Sequence, residues 1–222
     1  MKDFIEYLEE GVNDPAIFRA VFLAGGPGSG KSFVVGKTAL QPLGLKLINS
    51  DPSFEAALKK AGLTTSPEDI ASAQGQAARV TAKRLTGKKM ELALNGRLGL
   101  IIDGTGKDFA KIKKQVDDLR AIGYAVAMIF VNTDMDTALE RNNARSRSLP
   151  DEMVVKMWKE VQRNLGKFQN LFRDRMMILD NSTGSNIEGA TMAVYRKVMT
   201  WTKGKPDNRI AVKWIKDQKA SK

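Results

Sequence analysis

The sequence predicts an α/β fold in three layers, a five-stranded parallel sheet with helices on both faces. Two observations predict it. Five short apolar runs, at residues 18–24, 45–49, 98–103, 125–131 and 177–179, are separated by segments of helical period. The third run is apolar on successive residues rather than alternating, as a strand is when both of its faces are covered. Strands that alternate with helices pair in parallel, because each crossover returns the chain to the same end of the sheet.

The elements follow in order. Residues 3–10 read as a short helix, stopped by Gly11 and the turn around Asn13 and Pro15. The first strand, FRAVFLA, leads into a glycine-rich loop at residues 25–30 and a helix from Lys31 to about Thr38. The second strand, LKLIN, is followed by Asp51-Pro52, which suits a helix start with Asp as N-cap and Pro at the first helical position. Ser66 and Asp69 bracket another start, and the stretch to Arg97 is largely helical, with Gly75 and Gly87 as candidate breaks. After the third strand, LGLIID, a helix runs from about Phe109 to Ile122 and stops at Gly123. After the fourth, AVAMIFV, a helix at about 138–145 leads into a Ser/Arg-rich loop and Pro150. From Asp151 to Phe172 apolar residues recur at Val154, Met157, Trp158, Val161, Leu165, Phe168 and Phe172, a helical spacing. The fifth strand and a helix from Ile187 to about Trp201 complete the pattern. We expect one domain over residues 1–195 and a basic segment over 196–222.

In such a sheet ligands sit at the carboxyl ends of the strands. Directly after the first strand stands Gly25-Gly26-Pro27-Gly28-Ser29-Gly30-Lys31-Ser32, which matches G-x-x-x-x-G-K-[ST] in full. Glycines let the backbone curl so that several N–H groups converge on phosphate oxygens, and the helix that follows adds the positive end of its dipole. Gly26, Gly28, Ser29, Gly30, Lys31, Ser32 and Phe33 are therefore the expected contacts of ATP or another nucleoside triphosphate. Lys31 is expected on the β- and γ-phosphates, and the Ser32 hydroxyl on Mg2+.

Two carboxylates lie at the next strand ends. Asp51, after the second strand, is placed to accept the proton of an incoming hydroxyl, although an aspartate before proline is also a good helix cap. Asp103, after the third, is expected to support the metal or receive substrate, with Thr105 and Lys107 in the same loop; Asp-Gly is equally a common turn. Arg141 and Arg145, four apart on one helix, and Arg147 precede Pro150 and form a candidate lid over the phosphates at about 141–150. Arg79, Lys83 and Arg84 lie on the helical stretch between the second and third strands, where a substrate-binding insert would sit; Arg79 and Arg84 are carried as substrate-binding candidates. Trp201 and Trp214 stand among C-terminal cations, where they could stack on bases or anchor the last helix.

Composition limits the chemistry. The chain of 222 residues has neither cysteine nor histidine, which excludes disulfides, thiolate nucleophiles, zinc–thiolate sites and imidazole bases. A general base must be Asp, Glu, Lys, Tyr or water, and a metal must be a hard, oxygen-bound ion. The net charge is +11, and residues 196–222 carry nine Lys or Arg against Asp207 and Asp217. Such a balance favours a polyanionic partner, nucleic acid above all and DNA first. No apolar run is long enough for a membrane helix and the start is acidic and amphipathic, so a cytoplasmic protein is expected.

With these residues in place, the chain resembles the P-loop kinases grouped around bacteriophage polynucleotide 5′-kinase and the zeta toxins. The resemblance runs from about Ala20 to Asp180 and rests on GGPGSGKS, INSD, IIDGT and the arginines before LP. It implies a three-layer P-loop kinase fold, Asp51 as general base, Asp103 as the substrate-orienting acid, and Arg141 or Arg145 on the donor phosphates. The acceptor it implies is a nucleic-acid hydroxyl, at a 5′ end or on a hydroxymethylated base, as in phage kinases of 5-hydroxymethyluracil DNA; the alternative is a nucleoside, nucleotide or nucleotide sugar. A nucleotide-dependent binding protein without transferase activity is a third reading. The host cytoplasm is the location that a phage origin implies. Asp51-Pro52-Ser53 lacks the arginine that commonly follows the base in polynucleotide kinases, and no DxDxT phosphatase signature is present.

Overall fold

The protein is described by a computed structural model covering residues 11–38, 40–145 and 148–221. The helix expected over 3–10, and Arg147, lie outside the described residues. Five strands, β1 (Arg19–Ala24), β2 (Lys46–Ile48), β3 (Leu100–Asp103), β4 (Ala125–Asn132) and β5 (Met176–Asp180), form one sheet in the order β2-β3-β1-β4-β5. Every pairing is parallel. The nine described helices are α1 (Lys31–Thr38), α2 (Asp51–Lys60), α3 (Pro67–Ala71), α4 (Ala73–Asn95), α5 (Phe109–Ala121), α6 (Met135–Asn143), α7 (Asp151–Phe172), α8 (Ile187–Lys203) and α9 (Arg209–Ala220).

Alternate residues of β1 feed two cores. Ala20, Phe22 and Ala24 join Val116 and Leu119 of α5 and Val161 and Phe168 of α7 on one face. Val21 and Leu23 join Val34 of α1 and Val194 and Val198 of α8 on the other. All six β1 residues are buried, so the sheet is covered on both faces and the helices form the outer layers. A third, smaller core unites Phe54 and Leu58 of α2 with Ile70 of α3 and Ala78 and Ala82 of α4, making the insert between β2 and β3 a helical unit of its own.

Three local expectations are corrected. Asp51 is the first residue of α2 rather than its cap: Ser50 holds the cap position without a side-chain bond, and the Asp51 N–H is taken by Asn49 Oδ1 at 2.8 Å. The break in the long helical stretch falls at Ser72, not at Gly75 or Gly87. The Ser72 backbone is extended (ψ 158°), and its hydroxyl caps α4 by accepting from Gly75 N at 3.0 Å. A Cβ on Gly75 would stand 2.1 Å from Asp69 O, so glycine there permits the sharp bend between α3 and α4. Finally, the C-terminal segment contains a helix that charge alone concealed. In α9, Ala211 is fully buried and Trp214 and Ile215 pack on the main core. The Trp214 ring meets Phe18 edge-on at 5.5 Å, and α9 passes so close to Gly123 that a Cβ there would lie 3.0 Å from Ala211 N. The expected division at 195/196 falls inside α8.

Candidate nucleotide and acceptor site

The chain leaves β1 for β2 on one side and returns, after β3, to β4 on the other, so the carboxyl end of β1 is the topological switch point. The glycine loop is there. Parallel register sets Leu23 beside Asp103 and Ile48 beside Ile102, so the segments after β1, β2 and β3 emerge together.

At Gly25, Gly28 and Gly30 the loop backbone leaves no room for a side chain. Gly28 and Gly30 have φ of +71° and +76°, a region where only glycine is unstrained. A Cβ on Gly28 would sit 2.2 Å from Ala138 O, and one on Gly30 would sit 2.2 Å from Asn181 Nδ2. Ser29, with 1% exposure, turns its hydroxyl inward, where it has no hydrogen-bond partner among the described residues. The loop is tied from outside: Gly25 N donates to Thr105 O at 3.1 Å, and Asn181 Nδ2 donates to Ser29 O at 2.8 Å.

Lys31 opens α1 and its ammonium contacts Asp103 Oδ1 at 2.6 Å. The other oxygen, Oδ2, accepts from Asn49 Nδ2 at 2.9 Å, and Asn49 Oδ1 in turn accepts the Asp51 N–H. One chain of polar contacts thus runs from the loop lysine through Asp103 and Asn49 to the backbone of Asp51. The Asp51 side chain is exposed and lines a cleft of about 500 Å3 together with Thr105, Met157 and, from the helical insert, Phe54, Arg79 and Lys83. The Arg79 guanidinium stands 5.1 Å over the Phe54 ring, with its Nε buried and without a hydrogen-bond partner among the described residues. Arg84 is exposed and lies outside this lining. Lys107 is also exposed and lines a neighbouring cleft of about 220 Å3 with Asp103 and Thr105.

On the opposite side of the loop, Arg141 of α6 donates to Asn181 O at 2.7 Å, and its Nη1 comes within 3.7 Å of where a Gly30 Cβ would be. Arg145 is exposed beyond the end of α6. Asn142 is tied to Leu149, donating to its O at 2.8 Å and accepting from its N at 3.0 Å. Ser32 and Phe33 are exposed at the start of α1.

Four residues that the sequence did not assign to the site hold it. Asn181 links the glycine loop to Arg141, Asn49 links Asp103 to Asp51, and Asn164 of α7 donates to Gly106 O at 3.0 Å and Lys107 O at 2.8 Å. Trp158 Nε1 donates to Thr133 O at 2.8 Å. Asn49 and Asn181 follow strands and were reachable by the strand-end rule. Asn164 and Trp158 were hidden in the apolar period of α7. The Asp134 carboxyl, which caps α6, is held below its usual range by the Thr137 N–H and hydroxyl, with burial opposing and Ser182 adding to the effect.

A parallel sheet of this order, with a glycine cradle and lysine at its switch point, defines a P-loop protein of the kinase type. A family model described as an AAA domain matches residues 21–167, well over half of the chain, and the chain belongs to that family. No curated protein matches it in sequence. Among solved structures it is similar to a gluconokinase from Sinorhizobium meliloti 1021, with 14% identity, 83% of this chain and 95% of that one covered, and a TM-score of 0.50. It is similar also to a chain of the PezAT toxin–antitoxin system of Streptococcus pneumoniae, with 17% identity, coverage of 84% and 87%, and a TM-score of 0.51. A chain of the Pnkp1/Rnl/Hen1 RNA repair complex aligns at 17% identity over 68% of this chain and 46% of its own length, with a TM-score of 0.52. At these identities the likeness is one of fold.

Proposed function

We propose that the protein is a kinase that moves the γ-phosphate of ATP, or another nucleoside triphosphate, to a hydroxyl group of a nucleic acid. The observation that carries the phosphotransferase reading is the polar chain Lys31–Asp103–Asn49–Asp51, which joins the phosphate cradle to an acid facing a separate cleft. A donor seats its phosphates on the amides of residues 26–32, and Lys31 and Arg141 neutralise the charge that spreads over the transferred group. The acceptor lies in the cleft of Asp51 and Thr105. Its hydroxyl oxygen forms the new bond to phosphorus as the bridging bond to the β-phosphate breaks, and its proton passes to Asp51.

The cradle fits a nucleotide: Gly25, Gly28 and Gly30 leave no space for a Cβ, and the buried Ser29 hydroxyl has no hydrogen-bond partner among the described residues. The residues fit magnesium as P-loop proteins hold it. No cluster of three acidic residues exists among the described residues, so Ser32 and Asp103 would hold the ion jointly with the phosphates. Held there, the ion would supply Lewis-acid withdrawal of charge from the phosphates.

The net charge of +11 supports a nucleic-acid acceptor. A second reading, a small phosphorylated or acidic alcohol, is favoured by the limited volume of the Asp51 cleft and by Arg79 and Lys83 on its wall. Incubation with γ-labelled ATP and a panel of 5′-hydroxyl oligonucleotides, hydroxymethylated DNA, nucleosides and sugar acids separates the two. Asp51→Asn is expected to keep nucleotide affinity within about twofold and to lower transfer by about a hundredfold or more. Unchanged turnover in that variant would reject Asp51 as the base, and no transfer to any member of the panel would reject the kinase reading.

A further inference from the structure

At the far end of the sheet from the glycine cradle, two clefts adjoin. The larger, about 610 Å3, lies under α8 with Ala127, Met177, Val198 and Trp201 among its apolar walls and Arg175, Arg196 and Lys197 at its edge. The smaller, about 360 Å3, is lined by Arg120 and Arg173 and shares Asp174 and Arg175 with the first. Five cations therefore face one carboxylate across a continuous surface. All five are exposed, and none of them is in an ion pair among the described residues. β1 runs from Arg19, beside Trp201, to Ala24 before the cradle, which at about 3.3 Å per residue puts the aromatic wall of the larger cleft about 17 Å from the strand end that carries the cradle.

The aromatic wall is held in place. Arg19 at the start of β1 is 5% exposed and donates to Gly204 O at 2.7 Å and Lys205 O at 3.3 Å. Its guanidinium lies 5.1 Å over the Trp201 ring. Burial weakens its charged form; Asp207 opposes this and Arg175 adds like-charge repulsion. The Trp201 indole N–H is buried with no hydrogen-bond partner among the described residues.

We propose that the two clefts form one binding track for a single-stranded nucleic acid, with phosphates along the row from Arg120 through Arg175 to Arg196 and a base entering the larger cleft against Trp201. A row of exposed cations spread over two clefts matches a linear polyanion better than a single small anion, which could engage only one of them. An apolar floor with a fixed indole offers a surface to an unstacked base, which a duplex does not present. The track goes beyond the acceptor reading and is independent of it, because it lies at the opposite end of the sheet from Asp51.

The test is fluorescence anisotropy of labelled oligothymidine with the full chain and no nucleotide. The affinity is expected to fall with salt at a slope of about −3 in log–log form, as release of counterions from about four phosphates requires. Arg175→Glu/Arg196→Glu is expected to weaken binding by at least about tenfold, whereas Lys88→Glu/Lys89→Glu, an equal change of charge on the exposed face of α4, weakens it by no more than about threefold. Trp201→Phe keeps the charge and is expected to cost about threefold or more. Both double variants alter exposed positions, so unchanged melting curves will show that they fold. Equal losses in the two double variants, tighter binding of duplex than of single strand, or competition by polyglutamate as strong as by unlabelled oligothymidine would each overturn the track. Repeating the measurement in Asp51→Asn separates the two proposals: binding retained with transfer lost supports both, and binding lost in the track variant's counterpart Arg175/Arg196 with transfer to small acceptors intact leaves the kinase reading untouched.

Discussion

Gly28 shows how narrowly the phosphate loop is specified. Two independent constraints act on it, a φ of +71° and a carbonyl, that of Ala138, 2.2 Å from any Cβ. Gly28→Ala must therefore move the loop or α6, and is expected to lower nucleotide affinity by more than about tenfold, since the strained backbone conformation and the clash act together. Gly87→Ala is the matching control. Its Cβ meets nothing within 4 Å inside α4, so it is expected to leave affinity unchanged and to raise stability by up to about 1 kcal/mol. Titration with a fluorescent ATP analogue and thermal melts read both effects. The loop itself was legible in the sequence, because glycine spacing reports backbone conformation directly. Its supports were not: Asn181 and Asn164 act through geometry that only the assembled strands and α7 create.

At the scale of elements, the strands and most helices were legible because their apolar periods differ and their ends carry glycine and capping residues. Residues 151–172 behave as the spacing of Val154, Val161 and Phe168 requires. α9 was missed because its buried side is short, only Ala211 being fully buried, and its cations dominate the pattern. The join between β3 and β4 carries a pH signature. Tyr124, 2% exposed, donates to Leu98 O at 3.0 Å and packs edge-on against Phe18. Burial is the main cause that pushes its phenol well above the ordinary range; Arg97 opposes the shift and Asp14 adds to it. The unfolded chain loses this proton near pH 10 and the folded chain keeps it, so above about pH 10 the unfolded state binds fewer protons. The contribution to stability is complete below that value and declines as the pH climbs toward the folded one. Denaturant unfolding is expected to show a steeper alkaline loss for the native chain than for Tyr124→Phe. At neutral pH that variant is expected to be less stable by about 1 kcal/mol, for the lost hydrogen bond.

The whole molecule divides its chemistry between the two ends of one sheet. The carboxyl ends carry the glycine loop, Asp51 and Asp103. The amino ends carry the cationic clefts and the docking of α9. The alternation of apolar runs foretold the parallel sheet with covered faces; the strand order, and with it the switch point, came only from the assembled sheet, and so did the assignment of cations to ends, because charge counts carry no address. The contact between Lys31 and Asp103 has one further consequence, for the order of events. While the ammonium holds the carboxylate, neither is at liberty to serve an incoming molecule. A triphosphate that draws the lysine to itself frees Asp103, whose partner Asn49 holds the Asp51 backbone, so the acceptor's welcome depends on the donor's arrival. Steady-state kinetics is expected to show compulsory sequence, the nucleotide entering first and its diphosphate leaving last. A random order of entry in product-inhibition patterns would mean that the pair opens by itself.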